Sequence, residues 1–254
     1  MNELMNYPHL VFVFSFLTLW LSTLLGALFL RKRRELHQDV REDFAIILAT
    51  TLTLIGLIIG FTFSMAISRY EQRKGYEAAE ANAIGTEYLR VDLLPAADAA
   101  KARSLLRLYL DQRVAFYTAG DEKQIRQINA RTAQLQTELW AAARAAAAQP
   151  SAVGALAIAG MNDVLNSQAY TQAAWWNRIP TSAWLLMGVI AVIAHLLFGY
   201  GAQNAKAGPI LMTVLPLVVS ISFLLIADID SPRSGIIRVN PRNLTGLVES
   251  LRAH

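Results

Sequence analysis

The feature that most constrains this chain is an uncharged stretch in its first third. Residues 44–68, between Asp43 and Arg69, contain no charged side chain. At 1.5 Å per residue, a helix of that length spans roughly 37 Å, which is enough to cross a hydrocarbon core about 30 Å thick. Apart from Gly75, nothing after Arg69 breaks a helical pattern before Pro95. The sequence therefore predicts one helix that crosses a membrane and continues beyond it.

Three further apolar stretches have the length of a membrane span. Together with the first they give predicted spans at residues 10–30, 44–68, 182–200 and 209–227. Hydrophobic residues make up 54% of the chain and charged residues 17%, whereas a soluble domain carries about 25% charged residues. We therefore expect an all-α, multi-pass integral membrane protein in contact with the lipid bilayer, located in the plasma (inner) membrane.

The four spans form two hairpins separated by a polar, helical insertion. We expect a first transmembrane hairpin over 1–69, an extramembrane helical domain over 70–180, a second hairpin over 181–227 and a C-terminal tail over 228–254. Pro95, Gly120 and Pro150 divide the insertion into four helices, the second running from an N-cap at Asp98 to Gly120. The third helix carries a coiled-coil-like seam of Ile125, Ile128, Thr132, Leu135 and Leu139. Residues 243–251 predict a final amphipathic helix.

The distribution of basic residues leaves the membrane orientation open. The sequence Arg31-Lys32-Arg33-Arg34 lies in the first connector and favours a cytoplasmic connector with an external helical domain. Basic residues that flank the domain and follow the last span favour the opposite arrangement: Arg69, Arg73, Lys74, Arg178, Arg233, Arg238 and Arg242. The side on which residues 70–180 lie is therefore unresolved.

No catalytic or metal-binding pattern is present in the sequence. The chain has no cysteine, and its four histidines, His9, His37, His195 and His254, are far apart and lack metal-ligand spacing. Walker, HExxH and GxSxG motifs are absent. The net charge of +4 falls mostly beside membrane spans. We expect no enzyme activity, no metal, no cofactor and no nucleic-acid partner.

Small residues recur at helical spacing on the first two spans. On the first span Ser15, Thr18, Ser22 and Gly26 predict a helix-packing face. On the second span the pattern has two interpretations, helix packing or the wall of a pore in which bulky apolar neighbours form a dewetting constriction. The residues concerned on the second span are Ile55, Gly56, Ile58, Ile59, Gly60, Phe63, Ser64 and Ser68.

His195 is the one ionisable side chain deep within a predicted span. Intramembrane ionisable groups are costly and often functional. His195 therefore has two interpretations: a neutral side chain bonded to a neighbouring helix, or a proton-coupling group in a transporter whose last span is kinked at Pro216.

Two segments resemble signatures of the bestrophin-like membrane protein family. The first covers residues 80–90 and closes with Leu93-Leu94-Pro95, and the second covers residues 228–239. The glycine-bearing second span and the order of hairpin, helical insertion, hairpin and tail extend the resemblance over nearly the whole chain. Bestrophins are oligomeric, usually pentameric, ion channels whose second membrane helix lines the pore. The resemblance thus implies a homo-oligomeric channel that passes small ions passively. The alternatives are a non-transporting scaffold or partner-binding protein and a proton-linked transporter.

The two family-like segments contain the polar residues that we single out: Glu80, Asn82, Arg90, Asp228, Asp230, Arg233 and Arg238. We expect Glu80, Asn82 and Arg90 to form polar contacts with the C-terminal tail. In that tail Arg233 and Arg238 are natural carboxylate partners. Asp228 and Asp230 have three possible roles, namely capping a helix end or turn, pairing with arginine, or binding a cation at a pore mouth. Glu77, outside the segment, is expected to lie on a solvated face.

Overall fold

The computed structural model describes residues 7–30, 38–146, 151–202 and 209–253. Within these ranges the chain is helical and contains no strand. The α-helices are α1 (Pro8–Leu25), α2 (Gln38–Arg90), α3 (Ala96–Thr118), α4 (Glu122–Ala146), α5 (Ala152–Trp176), α6 (Thr181–Gly201), α7 (Pro209–Asp230) and α8 (Arg242–Ala253). A π-helical turn, Gly26–Leu30, follows α1, and a 3-10 turn, Val91–Leu93, follows α2. The predicted basic cluster at 31–34 and most of the second connector lie outside the described residues.

Helix α2 is the longest element of the described chain. It runs without a break for 53 residues, which confirms the continuous helix predicted from the uncharged stretch. Four helical segments are long and apolar enough to cross a membrane, at Pro8–Leu28, Arg41–Leu93, Ala152–Gly201 and Met212–Asp230. The all-α fold class with four membrane spans is therefore confirmed.

The chain divides into two compact units, and the tail is shared between them. The first unit comprises Met1–Tyr70 and Arg178–Arg238, and the second comprises Glu71–Asn177 and Val239–His254. In the first unit α1 packs against α6 and α7. The core of this unit consists of apolar side chains from all four spans, including Leu19, Ile55, Met187, Ala191, Phe223 and Ile226.

The small residues on α1 lie at a close helix crossing, as predicted. Ser15 and Ser22 are buried, at 8% and 6% exposure. A Cβ on Gly26 would overlap the backbone of α6, and a Cβ on Gly199 would overlap the backbone carbonyl of Thr23. Only glycine at these two positions allows the two helix backbones to approach so closely. The two glycines therefore fix how α1 and α6 pack against each other within one chain.

The second unit is built from the end of α2 with α3, α4, α5 and α8. Helix α3 packs against α4 and α8, and α4 packs against α5. The predicted seam of α4 is buried from Ile128 to Leu139, with Leu135 and Leu139 at 0% exposure. One boundary prediction is wrong, because Pro95 is the N-cap of α3 and Asp98 lies within its first turn. At the other end, the helix closes with Ala119 in an extended conformation.

Candidate functional site

One face of the second span is not covered by side chains from the described part of the chain. Gly56, Gly60, Ser64 and Ser68 are all exposed. A Cβ added at Gly56 or Gly60 would have no atom within 4 Å. Among the residues that the structure describes, then, these glycines do not form a helix-packing contact. Their face is available to lipid, to another chain or to water.

The opposite face of the second span packs inward. Ile55 is 3% exposed, Thr62 is 4% exposed and Ala66 is fully buried, and the two apolar side chains belong to the core of the first unit. Ile59 and Phe63 are partly buried and pack against the same core. Ile55 therefore lies away from the open face, while Ile59 and Phe63 lie at its edge.

Asp230, at the end of α7, joins three segments of the first unit. Its carboxylate accepts hydrogen bonds from the backbone N–H of Ile179, at 3.1 and 3.3 Å. It also pairs with Arg69 of α2 at 3.8 Å and with Arg178 at 3.4 Å. The Asp230 side chain is only 2% exposed. Two cations and a backbone donor thus stabilise this buried carboxylate, which is the arrangement expected of a residue that holds neighbouring segments together.

Asp228 holds the turn that follows α7. Its Oδ1 accepts from the backbone N–H of Ile236 at 2.7 Å and its Oδ2 from that of Ile237 at 2.9 Å. The side chain of Arg238 donates to the backbone carbonyl of Gly235 at 2.5 Å, and Arg233 is partly buried. The second family-like segment therefore forms a turn held by side chain–backbone hydrogen bonds.

In the second unit, Glu77 caps the final helix. It is 1% exposed, so the prediction that it lies on a solvated face is wrong. Its Oε1 accepts from the backbone N–H groups of Asn243 and Leu244, both at 3.0 Å, and its Oε2 accepts from the Asn243 side chain at 2.6 Å. These are N–H groups that the first turn of α8 leaves without an intrahelical partner. The carboxylate that contacts the tail is therefore Glu77, three residues before Glu80.

Glu80 forms a buried ion pair inside the second unit. Its carboxylate is bound by the Arg113 guanidinium of α3 and accepts a hydrogen bond from the Thr171 hydroxyl of α5 at 3.1 Å. Glu80 and Arg113 are both 0% exposed. Burial alone would lower the pKa of Arg113, but the adjacent Glu80 carboxylate offsets this and raises the pKa above its ordinary value. Glu80 thus connects α2 to α3 and α5, an arrangement that the sequence did not predict.

Arg73 is a second buried arginine of this unit. In the sequence it bears only on membrane orientation, as a basic residue that flanks the domain. Arg73 is 1% exposed and donates to the backbone carbonyls of Ala174, at 3.3 Å, and Asn177, at 3.4 Å. These carbonyls lie at the C-terminal end of α5, where a cation also interacts favourably with the helix dipole. The sequence gives no signal for this contact, because Arg73 looks like any other basic residue of a long polar helix.

The remaining predicted residues occupy separate positions. Asn82 is exposed. Arg90 lies 3.9 Å from Asp163 of α5. His195 is fully buried, and its Nδ1 lies 2.7 Å from the backbone oxygen of Ala191, one turn earlier in α6. Across the described ranges, no group of three His, Asp or Glu side chains is placed to hold a metal ion.

Comparison with known proteins identifies the family of this chain and structures of similar fold. A model of the Bestrophin-like domain matches residues 9–244. No curated protein matches the chain significantly. The chain is similar to the crystal structure of a bacterial bestrophin homolog from Klebsiella pneumoniae, with a TM-score of 0.63 and 14% identity over 93% of this chain and 98% of the other. A single-residue variant of that homolog gives a TM-score of 0.63 and 14% identity over 95% and 98% of the two chains.

Another similar structure is described only as a variant of a membrane protein. Its TM-score is 0.64, with 14% identity over 93% of this chain and 98% of the other. At this level of identity the structural similarity concerns the fold, which extends over almost the full length of both chains.

Proposed function

The chain belongs to the Bestrophin-like family, and from this premise we propose that it forms a homo-oligomeric membrane channel through which small ions pass passively. In this proposal the second spans of several copies surround the ion path, with Gly56, Gly60, Ser64 and Ser68 facing it. The two hairpins cross the plasma (inner) membrane, and residues 70–180 form the helical domain outside it. Catalysis has no part in this function.

The exposure of the second span is the observation that carries the proposal. Only 6% of its apolar 18-residue segment is buried by the described chain. The corresponding segments of the other three spans are 33 to 44% buried. A helix that is so poorly covered by its own chain has most of its surface available to other copies. The oligomer supplies these additional neighbours.

The identity of the exposed residues supports an axial position. A helix that faces only lipid gains nothing from small side chains, whereas small residues permit close approach of helices or leave room for ions. Glycine and serine lie on the open side of this span, beside exposed apolar side chains such as Leu57 and Phe61. Ile55 and Ala66 pack on its inner side. In this proposal Ile59 and Phe63, at the edge of the open face, narrow the path.

Flux through liposomes containing the purified protein tests the proposal. We expect ion flux from the wild type, an increase in Ile59→Ala and Phe63→Ala, and a reduction of about tenfold or more in Gly60→Phe, since an aromatic ring then occupies the path. Ion substitution in the same assay identifies the permeant species.

Gly188→Phe is the matched control. Gly188 also lies in a membrane span, on α6, and a Cβ there would likewise have no atom within 4 Å. Its substitution adds the same ring to a different helix, so flux should stay near the wild-type level. Equal loss of flux in Gly60→Phe and Gly188→Phe would refute the axial position of the second span.

Absence of flux in an intact oligomer would instead favour the non-transporting scaffold. An oligomer structure with a sealed or lipid-filled axis would lead to the same conclusion, whereas a continuous polar path lined by α2 favours the channel. A proton-linked transporter requires pH-dependent transport that disappears in His195→Gln. Transport that is unchanged in that variant excludes the coupling role.

A further inference from the structure

Glu87 is a buried carboxyl group that accepts no hydrogen bond from any described residue. It is 0% exposed, and neither Oε1 nor Oε2 has a partner within the described residues. An ionised carboxylate in such a position loses its hydration and gains no hydrogen bond in exchange. This arrangement differs from that of Glu77 and Glu80, whose carboxylates are held by named donors.

The carboxyl group lies against the backbone of α5 at a glycine. A Cβ added to Gly160 would overlap the Glu87 carboxylate, and it would lie 2.5 Å from Nη1 of Arg90. Any residue larger than glycine at this position would therefore displace one of these side chains. The close packing of α2 and α5 at this point depends on a small residue on one helix and the acidic side chain on the other.

Two charged groups act on Glu87, one from each helix. Arg90, on α2, favours the ionised form, and Asp163, on α5, disfavours it. Arg90 is itself 3.9 Å from Asp163, so its charge is shared between the two carboxylates. Burial is the largest effect, and it raises the pKa of Glu87 to about 7.

We propose that the contact between Glu87 and Gly160 is a proton-dependent packing contact, which is closed when the carboxyl is neutral and loosened when it is ionised. Ionisation places a charge against the α5 backbone, and the group regains its hydration only if α2 and α5 separate locally. The helical domain therefore contains a contact that responds to pH near neutrality.

The sign of the pH dependence follows from linkage. The pKa of Glu87 is raised from an ordinary 4.5 in the open state to about 7 in the closed state, so the closed state binds more protons between these values. Closure is therefore strongest at low pH, weakens as the pH rises towards 7 and changes no further above that value.

Hydrogen exchange of the full-length protein in lipid nanodiscs, corrected for the intrinsic pH dependence of exchange, tests this proposal. Protection of the α5 segment around Gly160 should fall by up to about tenfold per pH unit between pH 5 and 7 in the wild type, then level off. In Glu87→Gln, which cannot ionise, protection should be independent of pH. Glu71→Gln, an exposed position on the same helix, should retain the wild-type profile.

Two neighbouring variants test the proposal without altering Glu87. The levelling point is the pH above which protection of the α5 segment stops falling. Arg90→Gln removes the cation that favours ionisation of Glu87, so the levelling point should move to higher pH. Asp163→Asn removes an opposing charge, so that point should move to lower pH. Identical pH profiles in the wild type and Glu87→Gln would overturn the proposal, and so would unchanged levelling points in both neighbouring variants.

Discussion

The attachment of α8 by Glu77 gives the sharpest quantitative prediction. Three hydrogen bonds at 2.6 to 3.0 Å connect this 1% exposed carboxylate to the start of the helix. Hydrogen bonds to charged groups contribute roughly 1.5–3 kcal/mol each, and loss of a helix N-cap costs roughly 0.5–2 kcal/mol. Because adjacent contributions of this kind do not add in full, we expect Glu77→Ala to destabilise the docked α8 by about 3 kcal/mol.

Hydrogen exchange measured by mass spectrometry resolves this effect locally. A loss of about 3 kcal/mol corresponds to roughly a hundredfold decrease in protection, confined to peptides from α8, because those amides lose the docked state first. Peptides from α1 serve as an internal reference within the same molecule. Glu77→Gln, which retains one carbonyl acceptor, should show a smaller loss.

The control is Glu71→Ala on the same helix. The side chain of Glu71 is 58% exposed and pairs with Lys74 at 3.6 Å, so the substitution should change protection little. Unchanged protection of α8 in Glu77→Ala would refute the capping argument and would leave the burial of Leu244 as the main attachment.

Three further substitutions test other contacts. Arg113→Met leaves the Glu80 carboxylate buried and unpaired, so it should destabilise the helical domain by about 3–5 kcal/mol, with partial recovery when Glu80→Gln is added, as measured by thermal unfolding of both variants. Asp230→Asn weakens two ion pairs and the hydrogen bond from the Ile179 backbone N–H, so it should cost about 2 kcal/mol and reduce the stability of the assembled protein in detergent. Normal assembly with altered cation selectivity would instead place this residue at a pore mouth. Gly199→Leu should prevent correct folding, measured as loss of monodisperse protein, because its Cβ overlaps the α1 backbone, while Gly188→Leu should be tolerated.

The segments of this fold could be predicted because their signals are local. Hydropathy and length identified all four spans, and the absence of a helix stop identified the continuous α2. The seam of α4 followed from the spacing of its apolar residues, and the packing role of Ser15 and Ser22 followed from their spacing on α1. Each of these signals lies within one or two helical turns, where residue spacing determines which side chains share a face.

The polar contacts within the second unit were less predictable. Glu77 and Glu80 lie three residues apart on one helix, yet one caps α8 and the other pairs with a buried arginine of α3. Both residues had the sequence pattern of a polar helical surface. Their carboxylates are satisfied by donors that are 33 to 167 positions away in the chain, and residue spacing alone does not specify such partners.

The small residues of the spans show the same division. The sequence alone determined that glycine and serine recur at helical spacing on the first two spans, because this is a property of residue order. Only the tertiary structure decided that Gly26 faces a neighbouring helix while Gly56 and Gly60 face no other part of the described chain. The physical reason is that a helical repeat fixes which residues share a face, whereas the contacts of that face depend on how the other helices pack around it.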